Sequence, residues 1–286
     1  MSAILVTGGT GTLGRALVPL LTQAGHQVKV LSRRPRPAGT EPGRWATGDL
    51  RRGNGIATAV AGAEVIVHCA TSLGEVAAAR NLVAAARLAG GPHVVYISIA
   101  GVDRVPLSYY KSKLATEQLI AASELPWTVL RATQFHNLIF AICAALARMP
   151  VLPLPAGFRF QPVEVTEVAA RLAELAGAVP AGRVPDLGGP EIHPVEDLAA
   201  SYLRAAGRRR RLLRVPLPGA TAAAYRRGGN LAPEHATGKV TFGEFLAGRF
   251  TAQAQAQPPG STEPCRAGSA EPGATRGSRP GQGGQR

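Results

Sequence analysis

The sequence predicts an α/β fold, a doubly wound parallel sheet with helices on both of its faces. Short β-rich runs alternate with helical runs as far as Phe135, and such alternation is typical of right-handed crossovers between parallel strands. The composition agrees, because 45% of the residues are hydrophobic and only 5% are aromatic. A core built mainly from Ala, Val, Leu and Ile suits helices packed on a buried parallel sheet.

Each predicted element is a run with the length, periodicity and flanking residues of a strand or a helix. The predicted strands are Ala3 to Thr7, Gln27 to Leu31, Trp45 to Gly48, Glu64 to Cys69, His93 to Ile99 and Trp127 to Ala132. The predicted helices are Leu13 to Ala24, Gly55 to Val60, Val76 to Leu88, Ser108 to Ala122 and Thr166 to Ala176.

The chain is expected to form one domain over residues 1–250. Beyond Phe135 the rhythm loosens and prolines become frequent, so this small C-terminal region is expected to supply the substrate-side walls from about residue 135. From about Thr251 the chain has scarcely any bulky apolar residue, a composition that cannot offset the entropy of ordering. We therefore predict a disordered tail over residues 251–286.

The formal net charge of +14 does not by itself indicate nucleic acid. The basic residues are scattered, and no aromatic residues are interleaved with them as base-stacking platforms. The densest run, Arg208 to Arg211, is interpreted as a solvated helix end. Nucleic acid is therefore an unexpected partner, whereas a positive field would steer an anionic cofactor to the protein.

The sequence indicates a cytoplasmic protein without a membrane partner. The three cysteines show neither disulfide nor zinc spacing, so no metal site is expected; they are Cys69, Cys143 and Cys265. The first apolar run breaks at Gly8 and lacks a preceding basic segment, so no signal peptide is expected. The stretch from Leu138 to Leu146 is too short to span a bilayer. The sequence does not indicate an oligomeric state.

A glycine-rich run follows the first predicted strand directly and opens the first predicted helix. Gly8 would permit the tight turn out of the strand, Gly11 would let the backbone approach a pyrophosphate, and Gly14 would let the helix sit close to the sheet. The positive helix N-terminus would then hold the pyrophosphate. The run therefore predicts a dinucleotide site in a Rossmann fold, although a glycine-rich turn without a ligand is the alternative. The expected cofactor contacts are Gly8, Thr10, Gly11, Thr12, Leu13 and Gly14.

This run resembles the first turn of the short-chain dehydrogenase/reductase superfamily, in particular its atypical NmrA-like branch, where it has the form T-G-x-x-G-x-x-G. The resemblance covers roughly residues 3 to 250. It is specific for the fold and for an NAD(P) cofactor, and much less specific for the reaction.

The end of the second predicted strand carries Arg33 and Arg34, where an NAD-specific protein would place a carboxylate for the ribose hydroxyls. Two guanidiniums would instead suit a 2′-phosphate, so NADP(H) is the expected cofactor and NAD(H) a possible one. The alternative is that both are ordinary surface charges. The resemblance implies four further cofactor contacts. Asp49 and Leu50 would contact the adenine, and Ala70 and Thr71 would contact the middle of the cofactor. His68 and Cys69 could equally be packing residues.

Tyr109 and Lys113 lie four residues apart on a predicted helix, so both project from one face. This is the Y-x-x-x-K spacing of the superfamily. An ammonium near a phenol lowers the pKa of the phenol and lets it exchange a proton with a substrate oxygen. The resemblance implies that Lys113 also holds the nicotinamide ribose, and that Glu117 forms an ion pair with Lys113. Tyr110 is the competing phenol, but its i+4 partner is Leu114.

Ser98 ends the fifth predicted strand, where the superfamily keeps a serine that bonds the substrate oxygen. It precedes Tyr109 by eleven positions, which is closer than the interval in the single-domain members. The resemblance also implies a substrate pocket, whose residues are Thr133, Gln134, Phe135 and Asn137. A lone His136 at a helix start is expected to be structural.

These patterns predict an NADP(H)-dependent oxidoreductase of the atypical short-chain type that reduces a small carbonyl or quinone-like substrate. Tyr109, Lys113 and Ser98 are the expected catalytic residues. One alternative is a non-catalytic NADP(H)-binding redox sensor of the NmrA type. Another is a nucleotide-sugar epimerase or dehydratase, which the short region beyond residue 135 disfavours. The substrate itself cannot be predicted, because one fold and cofactor serve many chemistries.

Overall fold

Strands and helices alternate through the residues that the structure, a computed structural model, describes, which are 1–70 and 74–256. The strands are β1 (Ala3–Thr7), β2 (Gln27–Ser32), β3 (Trp45–Thr47), β4 (Val65–His68), β5 (His93–Ile99), β6 (Trp127–Ala132), β7 (Val151–Pro155), β8 (Arg159–Phe160), β9 (Gly182–Arg183), β10 (His193–Pro194) and β11 (Arg211–Val215). The helices are α1 (Thr12–Gln23), α2 (Ile56–Val60), α3 (Glu75–Leu88), α4 (Ser108–Ala121), α5 (His136–Leu146), α6 (Val165–Gly177), α7 (Val195–Ala205), α8 (Ala220–Arg226) and α9 (Phe242–Ala256).

Seven parallel strands form the central sheet in the order β3-β2-β1-β4-β5-β6-β9. The strand order reverses between β1 and β4, so successive crossovers place helices on opposite faces. The predicted doubly wound parallel sheet is confirmed. Reversal at this point also opens a crevice at the carboxyl ends of the central strands, where ligands of such sheets bind.

Both faces of the sheet are buried, as strand β1 illustrates. Ile4 and Val6 pack with the apolar residues of α1 and α6, whereas Leu5 points to the other face and packs with α2, α3 and α4. Successive side chains of a strand alternate between faces, so a strand covered on both sides is largely apolar on both. That requirement explains why β1, β5 and β6 have the bounds that the sequence predicts.

The C-terminal region forms a third apolar cluster, in which α5, α7, α9 and β7 pack together. Two small sheets accompany it: β8 pairs antiparallel with β10, and β11 pairs parallel with β7. Within residues 1–70 and 74–256, no helix is long and apolar enough to cross a membrane. In the same part of the chain, no group of His, Cys, Asp or Glu could hold a metal ion.

The predicted disordered tail begins too early, because α9 continues through residues 251–256. The ring of Phe250 lies 5.9 Å from that of Phe140 and 6.0 Å from that of Tyr202. These aromatic contacts hold α9 at Phe250 against α5 and α7, and composition alone does not reveal them. The rest of the predicted tail, residues 257–286, lies outside the described residues.

A buried ion pair joins α4 to β6. Both carboxylate oxygens of Glu117 accept hydrogen bonds from Arg131, the shortest from Nη2 at 2.7 Å, and Arg131 Nη1 also donates to Asp103 at 3.0 Å. The side chains of Arg131 and Glu117 are only 6% and 10% exposed. The predicted pairing of Glu117 with Lys113 is therefore wrong, because this carboxylate is turned toward β6.

Arg131→Met should lower the free energy of unfolding by about 3–5 kcal/mol, since it leaves a buried carboxylate without its partner. Arg87→Met is the matched control. It breaks an ion pair of 2.8 Å with Glu124, whose side chains are 57% and 80% exposed, and should cost under about 1 kcal/mol. Urea unfolding of both variants measures the difference. Equal losses of unfolding free energy in the two variants would show that the buried pair stabilises the fold no more than the exposed pair does.

Candidate functional site

The glycine loop joins β1 to α1 in a geometry that other residues could not adopt. Gly8 has a φ of 71°, and a Cβ on it would lie 2.7 Å from the backbone nitrogen of Ala70. A Cβ on Gly14 would overlap the carbonyl oxygen of Gly8. The loop therefore turns tightly and α1 sits directly against the end of the sheet, as the glycine pattern predicts.

The N-terminus of α1 is open toward this loop. Gly11 is its N-cap, makes no side-chain capping bond, and is followed by a first turn without acidic residues. Gly11 and Thr12 are exposed, and a Cβ on Gly11 would meet only the Gly8 oxygen, at 3.2 Å. The uncapped amides and the helix dipole favour an anion here. This cradle fits a pyrophosphate.

Two exposed arginines follow β2 at the same edge of the sheet. Arg33 and Arg34 are exposed, and the backbone between β2 and β3 is fixed by two bonds. The amide of Arg34 donates to Ser32 Oγ at 3.1 Å, and the Trp45 indole donates to the Arg34 carbonyl at 3.2 Å. The guanidiniums themselves have no ion-pair partner within the described ranges, so both can bind an external anion.

Asp49 and Leu50 lie beside these arginines. The amide of Gly48 donates to the carbonyl of Ser32 at 2.9 Å, which brings the segment after β3 against the end of β2. Asp49 Oδ1 accepts the amide of Arg51 at 2.9 Å. One carboxylate oxygen of Asp49 thus shapes the turn. Both residues are half-buried.

The residues at the end of β4 are packed inside the protein. His68 is fully buried, its Nδ1 lies 2.7 Å from Thr7 Oγ1, and its ring stacks on Tyr96 at 5.4 Å. Burial, with a smaller contribution from Lys113, lowers the pKa of His68 to about 3. Desolvation also raises the pKa of the Cys69 thiol to about 12, so both side chains are uncharged at neutral pH.

Ala70 follows His68 and Cys69 and is half-buried beside Gly8. The predicted cofactor contact Thr71 lies outside the described residues.

Lys113 is almost completely buried and has a carboxylate partner that the sequence reasoning missed. Its Nζ lies 2.7 Å from Glu75 Oε1, donates to the Ile97 carbonyl at 3.1 Å, and lies 4.8 Å from the centre of the Tyr96 ring. Tyr96 donates to the same oxygen of Glu75 at 2.7 Å. The only signal in the sequence was an acidic residue immediately before the predicted third helix.

Of the two neighbouring phenols, Tyr109 is the accessible one. Tyr109 is 40% exposed, whereas Tyr110 is 2% exposed. The Tyr110 hydroxyl lies 3.2 Å from Gln134 Nε2 and 3.3 Å from the Tyr225 hydroxyl, and burial raises the pKa of Tyr110. Tyr110 is thus buried, and Tyr109 is the more exposed of the two rings, whose centres lie 6.0 Å apart.

The Ser98 hydroxyl could form a hydrogen bond with an external group. Its hydroxyl is buried and has no hydrogen-bond partner among the described residues, although it lies next to Ile97, whose carbonyl binds Lys113. An unsatisfied buried hydroxyl is costly and calls for an explanation. A bound substrate oxygen would satisfy it.

The segment after β6 mixes structural and available groups. Thr133 donates to the Gln161 carbonyl and accepts from the amide of Gly189, so its hydroxyl ties this segment to the C-terminal region. Gln134 binds Tyr110 through Nε2, but its Oε1 has no partner in the described part of the chain, and the same holds for Asn137 Oδ1.

The other two residues after β6 are occupied by packing. Phe135 packs against the first core cluster. His136 is fully buried, with Nε2 3.0 Å from the Val240 carbonyl, which agrees with a structural role.

An aromatic wall behind Tyr110 could not be found from the sequence. Tyr225 of α8 stacks on Phe158 with ring centres 4.9 Å apart, and its hydroxyl reaches Tyr110 across 115 positions of the chain. Neither α8 nor the loop carrying Phe158 has a pattern that links it to the Y-x-x-x-K helix. Only the folded chain brings them together.

The chain matches a known family over its first half. Residues 8–138 match the family described as NAD(P)H-binding. The chain is 29% identical to the ceramide reductase of Caulobacter vibrioides, over 76% of this chain and 74% of that protein. It is 28% identical to the (4-alkanoyl-5-oxo-2,5-dihydrofuran-3-yl)methyl phosphate reductase of Streptomyces griseus, over 72% and 74%. It also spans 18% of the length of three uncharacterized mycobacterial proteins, with 29% identity.

Quinone oxidoreductase 2 of Escherichia coli is similar in both sequence and structure. The sequences are 26% identical over 72% of this chain and 75% of that protein. The crystal structure of that enzyme with NADPH superimposes with a TM-score of 0.73 and 20% identity, over 86% of this chain and 99% of the other. The structural likeness confirms the Rossmann fold.

Acid should destabilise the protein partly through His68. Its pKa is about 3 in the folded chain and about 6.5 when unfolded, so between these values the unfolded state binds the additional proton and stability falls as the pH falls. Between pH 7 and pH 5 the wild type should lose about 2 kcal/mol more than His68→Asn. Urea unfolding at both pH values measures this, and the constant cost of the substitution cancels in the comparison. Identical losses would assign the acid sensitivity to other groups.

Proposed function

We propose that this chain, whose residues 8–138 match the NAD(P)H-binding family, is an NADP(H)-dependent oxidoreductase of the short-chain dehydrogenase/reductase type that reduces a small carbonyl or quinone-like substrate. The observation that supports this best is the meeting of three features at one edge of the sheet. They are the open glycine cradle, the unsatisfied hydroxyl of Ser98, and the helix that presents Tyr109 and Lys113.

Each feature has a defined task in such a reaction. The nicotinamide supplies the hydride when it is bound. Ser98 donates a hydrogen bond to the substrate oxygen, and the exposed phenol of Tyr109 transfers a proton to that oxygen as negative charge develops on it. Lys113 lies one helical turn from Tyr109 and anchors this helix to the end of β5 through Ile97. Arg33 and Arg34 bind the 2′-phosphate.

The names of the relatives support reduction and do not agree on a substrate. A ceramide reductase, a furan-type phosphate reductase and a quinone oxidoreductase share only the class of reaction. The sequence identities are between 26% and 29%, so no substrate is transferred from any of them. We also propose a cytoplasmic location, where NADPH is available.

One observation favours a second function, that of a non-catalytic NADP(H)-binding redox sensor. The positive charge of Lys113 is offset by the carboxylate of Glu75, whose Oε1 lies 2.7 Å from Nζ. An ammonium paired in this way stabilises a phenolate less than an unpaired ammonium does. A sensor needs the glycine cradle and does not need proton transfer by Tyr109. The two functions therefore differ in turnover and share cofactor binding.

We expect the protein to bind NADPH more tightly than NADH, because each arginine adds a charge-assisted bond to the 2′-phosphate, worth about 1.5–3 kcal/mol when well formed. Arg33→Ala with Arg34→Ala should reduce the preference by at least about tenfold and leave the affinity for NADH nearly unchanged. Calorimetric titration measures both affinities. Arg80→Ala, which removes an exposed arginine of α3, should change neither. Equal affinity of the wild type for both cofactors would remove the assignment.

Tyr109→Phe should lower kcat by about 10²–10⁴-fold and leave the Kd for NADPH nearly unchanged, because it removes a proton donor and keeps the ring. Tyr110→Phe is the control, since its buried hydroxyl binds Gln134 and Tyr225 and should matter mainly for stability. Oxidation of NADPH with a panel of quinones and aldehydes measures turnover.

Three outcomes of that assay discriminate the functions. Loss of turnover in Tyr109→Phe alone supports the reductase. Turnover that survives in Tyr109→Phe and disappears in Tyr110→Phe would transfer the role to Tyr110. NADPH binding without turnover on any substrate would favour the sensor.

A further inference from the structure

An arginine-lined cleft lies far along the chain from the cofactor loop, at the start of β7 and β11. Its lining consists of Arg148, Pro150, Val151, Arg209, Arg210 and Arg211, and none of these residues is acidic. The run interpreted from the sequence as a solvated helix end does follow α7, but its last member begins β11. Arg208 and Arg210 are held in place because both donate to the carbonyl of Ala147, each at 3.3 Å.

An exposed apolar stripe on α5 leads to this cleft. Leu138, Ile142 and Met149 are 50%, 46% and 37% exposed, and their spacing places them on one side of the helix and of the turn that follows it. Ile139 and Cys143, which lie about 100° further around α5, are buried. The helix itself contains no charged residue.

The ribbon formed by β7 and β11 continues this apolar surface. Val151 pairs with Arg211 and Pro153 pairs with Leu213, so these four side chains share one face. Leu152 lies on the opposite face and is fully buried, whereas Val151 and Leu213 are 36% and 53% exposed. We call the combined stripe, cleft and outer ribbon face the basic apolar surface. Its residues come from two segments of the chain, 138–153 and 209–213.

We infer that the basic apolar surface binds the face of an anionic lipid bilayer. Aliphatic side chains flanked by arginines can enter the headgroup region while the guanidiniums bind lipid phosphates. The eleven residues of α5 are too few to cross a bilayer, so the helix would lie along the interface. This departs from the expectation that no membrane is involved, which rested on the length of the same stretch.

Other occupants fit this surface less well. Nucleic acid would satisfy the arginines, but its backbone would leave the aliphatic stripe uncovered, and no aromatic residue is present among the residues named above to stack on bases. A second copy across a two-fold axis would bring the same arginines together. Residues 257–286 contain four arginines, two glutamates and no Leu, Ile, Val, Met or Phe, so they match neither its charge nor its apolar character.

Cosedimentation of the full chain with vesicles tests the proposal. The wild type should sediment with vesicles that contain phosphatidylglycerol and not with vesicles of phosphatidylcholine alone, and 0.5 M NaCl should weaken the binding, because salt screens the charges. The variant with Arg148→Gln, Arg209→Gln and Arg211→Gln should bind at least about tenfold more weakly. These arginines were chosen because Arg208 and Arg210 also support Ala147.

Two matched controls distinguish the effect of the basic apolar surface from a general effect of net charge or of exposed apolar residues. Arg80→Gln, Arg87→Gln and Arg227→Gln remove the same charge from exposed positions elsewhere and should preserve binding. Leu138→Ser with Ile142→Ser should also weaken binding, whereas Leu88→Ser with Val179→Ser, at positions 91% and 81% exposed, should not. Thermal melting confirms that each variant is folded.

Several results would overturn the proposal. They are absence of binding to anionic vesicles, equal losses in the matched variants, and a dimer in light scattering that dissociates in Leu138→Ser with Ile142→Ser. The proposal is independent of the proposed reaction, because vesicle binding needs neither NADPH nor turnover.

Discussion

The functional edge of this protein depends on one buried carboxylate, that of Glu75. Its Oε1 accepts a hydrogen bond from Tyr96 and lies 2.7 Å from the ammonium of Lys113, so α3, β5 and α4 meet at a single oxygen. Removing either charge would leave the other buried without its partner, at a cost of about 3–5 kcal/mol. The pair therefore fixes how α4 lies over the end of the sheet, and with it the place where Tyr109 reaches the solvent.

The opposite side of the crevice depends on an absence of side chains. Gly14 lets α1 sit against the backbone of Gly8, and Gly8 in turn lies against Ala70 at the end of β4. The helix N-terminus thereby opens onto the same edge that carries Ser98 and Lys113. Two different constraints, a missing Cβ at the loop and a buried ion pair under α4, thus shape the two sides of one candidate cofactor crevice.

The sequence predicts the bounds of individual strands and helices, but it does not predict contacts between residues that are far apart in the chain. The bounds of β1, β5 and β6 follow from runs rich in apolar residues, because both faces of these strands are covered. The i, i+4 rule correctly places Tyr109 and Lys113 on one helix, but the same rule pairs Lys113 with Glu117 and is wrong there. Arg131 reaches Glu117 from a neighbouring strand, and Glu75 reaches Lys113 from another helix. Ion-pair partners that are far apart in the chain cannot be predicted from the spacing of residues along it.

The pairing of Lys113 with Glu75 also bears on the direction of the proposed reaction. Oxidation of an alcohol needs a phenolate to accept the proton, and a nearby ammonium promotes that form. Reduction needs the phenol, which already holds the proton that the substrate oxygen receives. A carboxylate that offsets the ammonium removes part of the electrostatic stabilisation that a nearby phenolate would receive. The missed partner thus disfavours a dehydrogenase whose lysine activates a base, and it is compatible with either a reductase or a sensor whose lysine positions the helix.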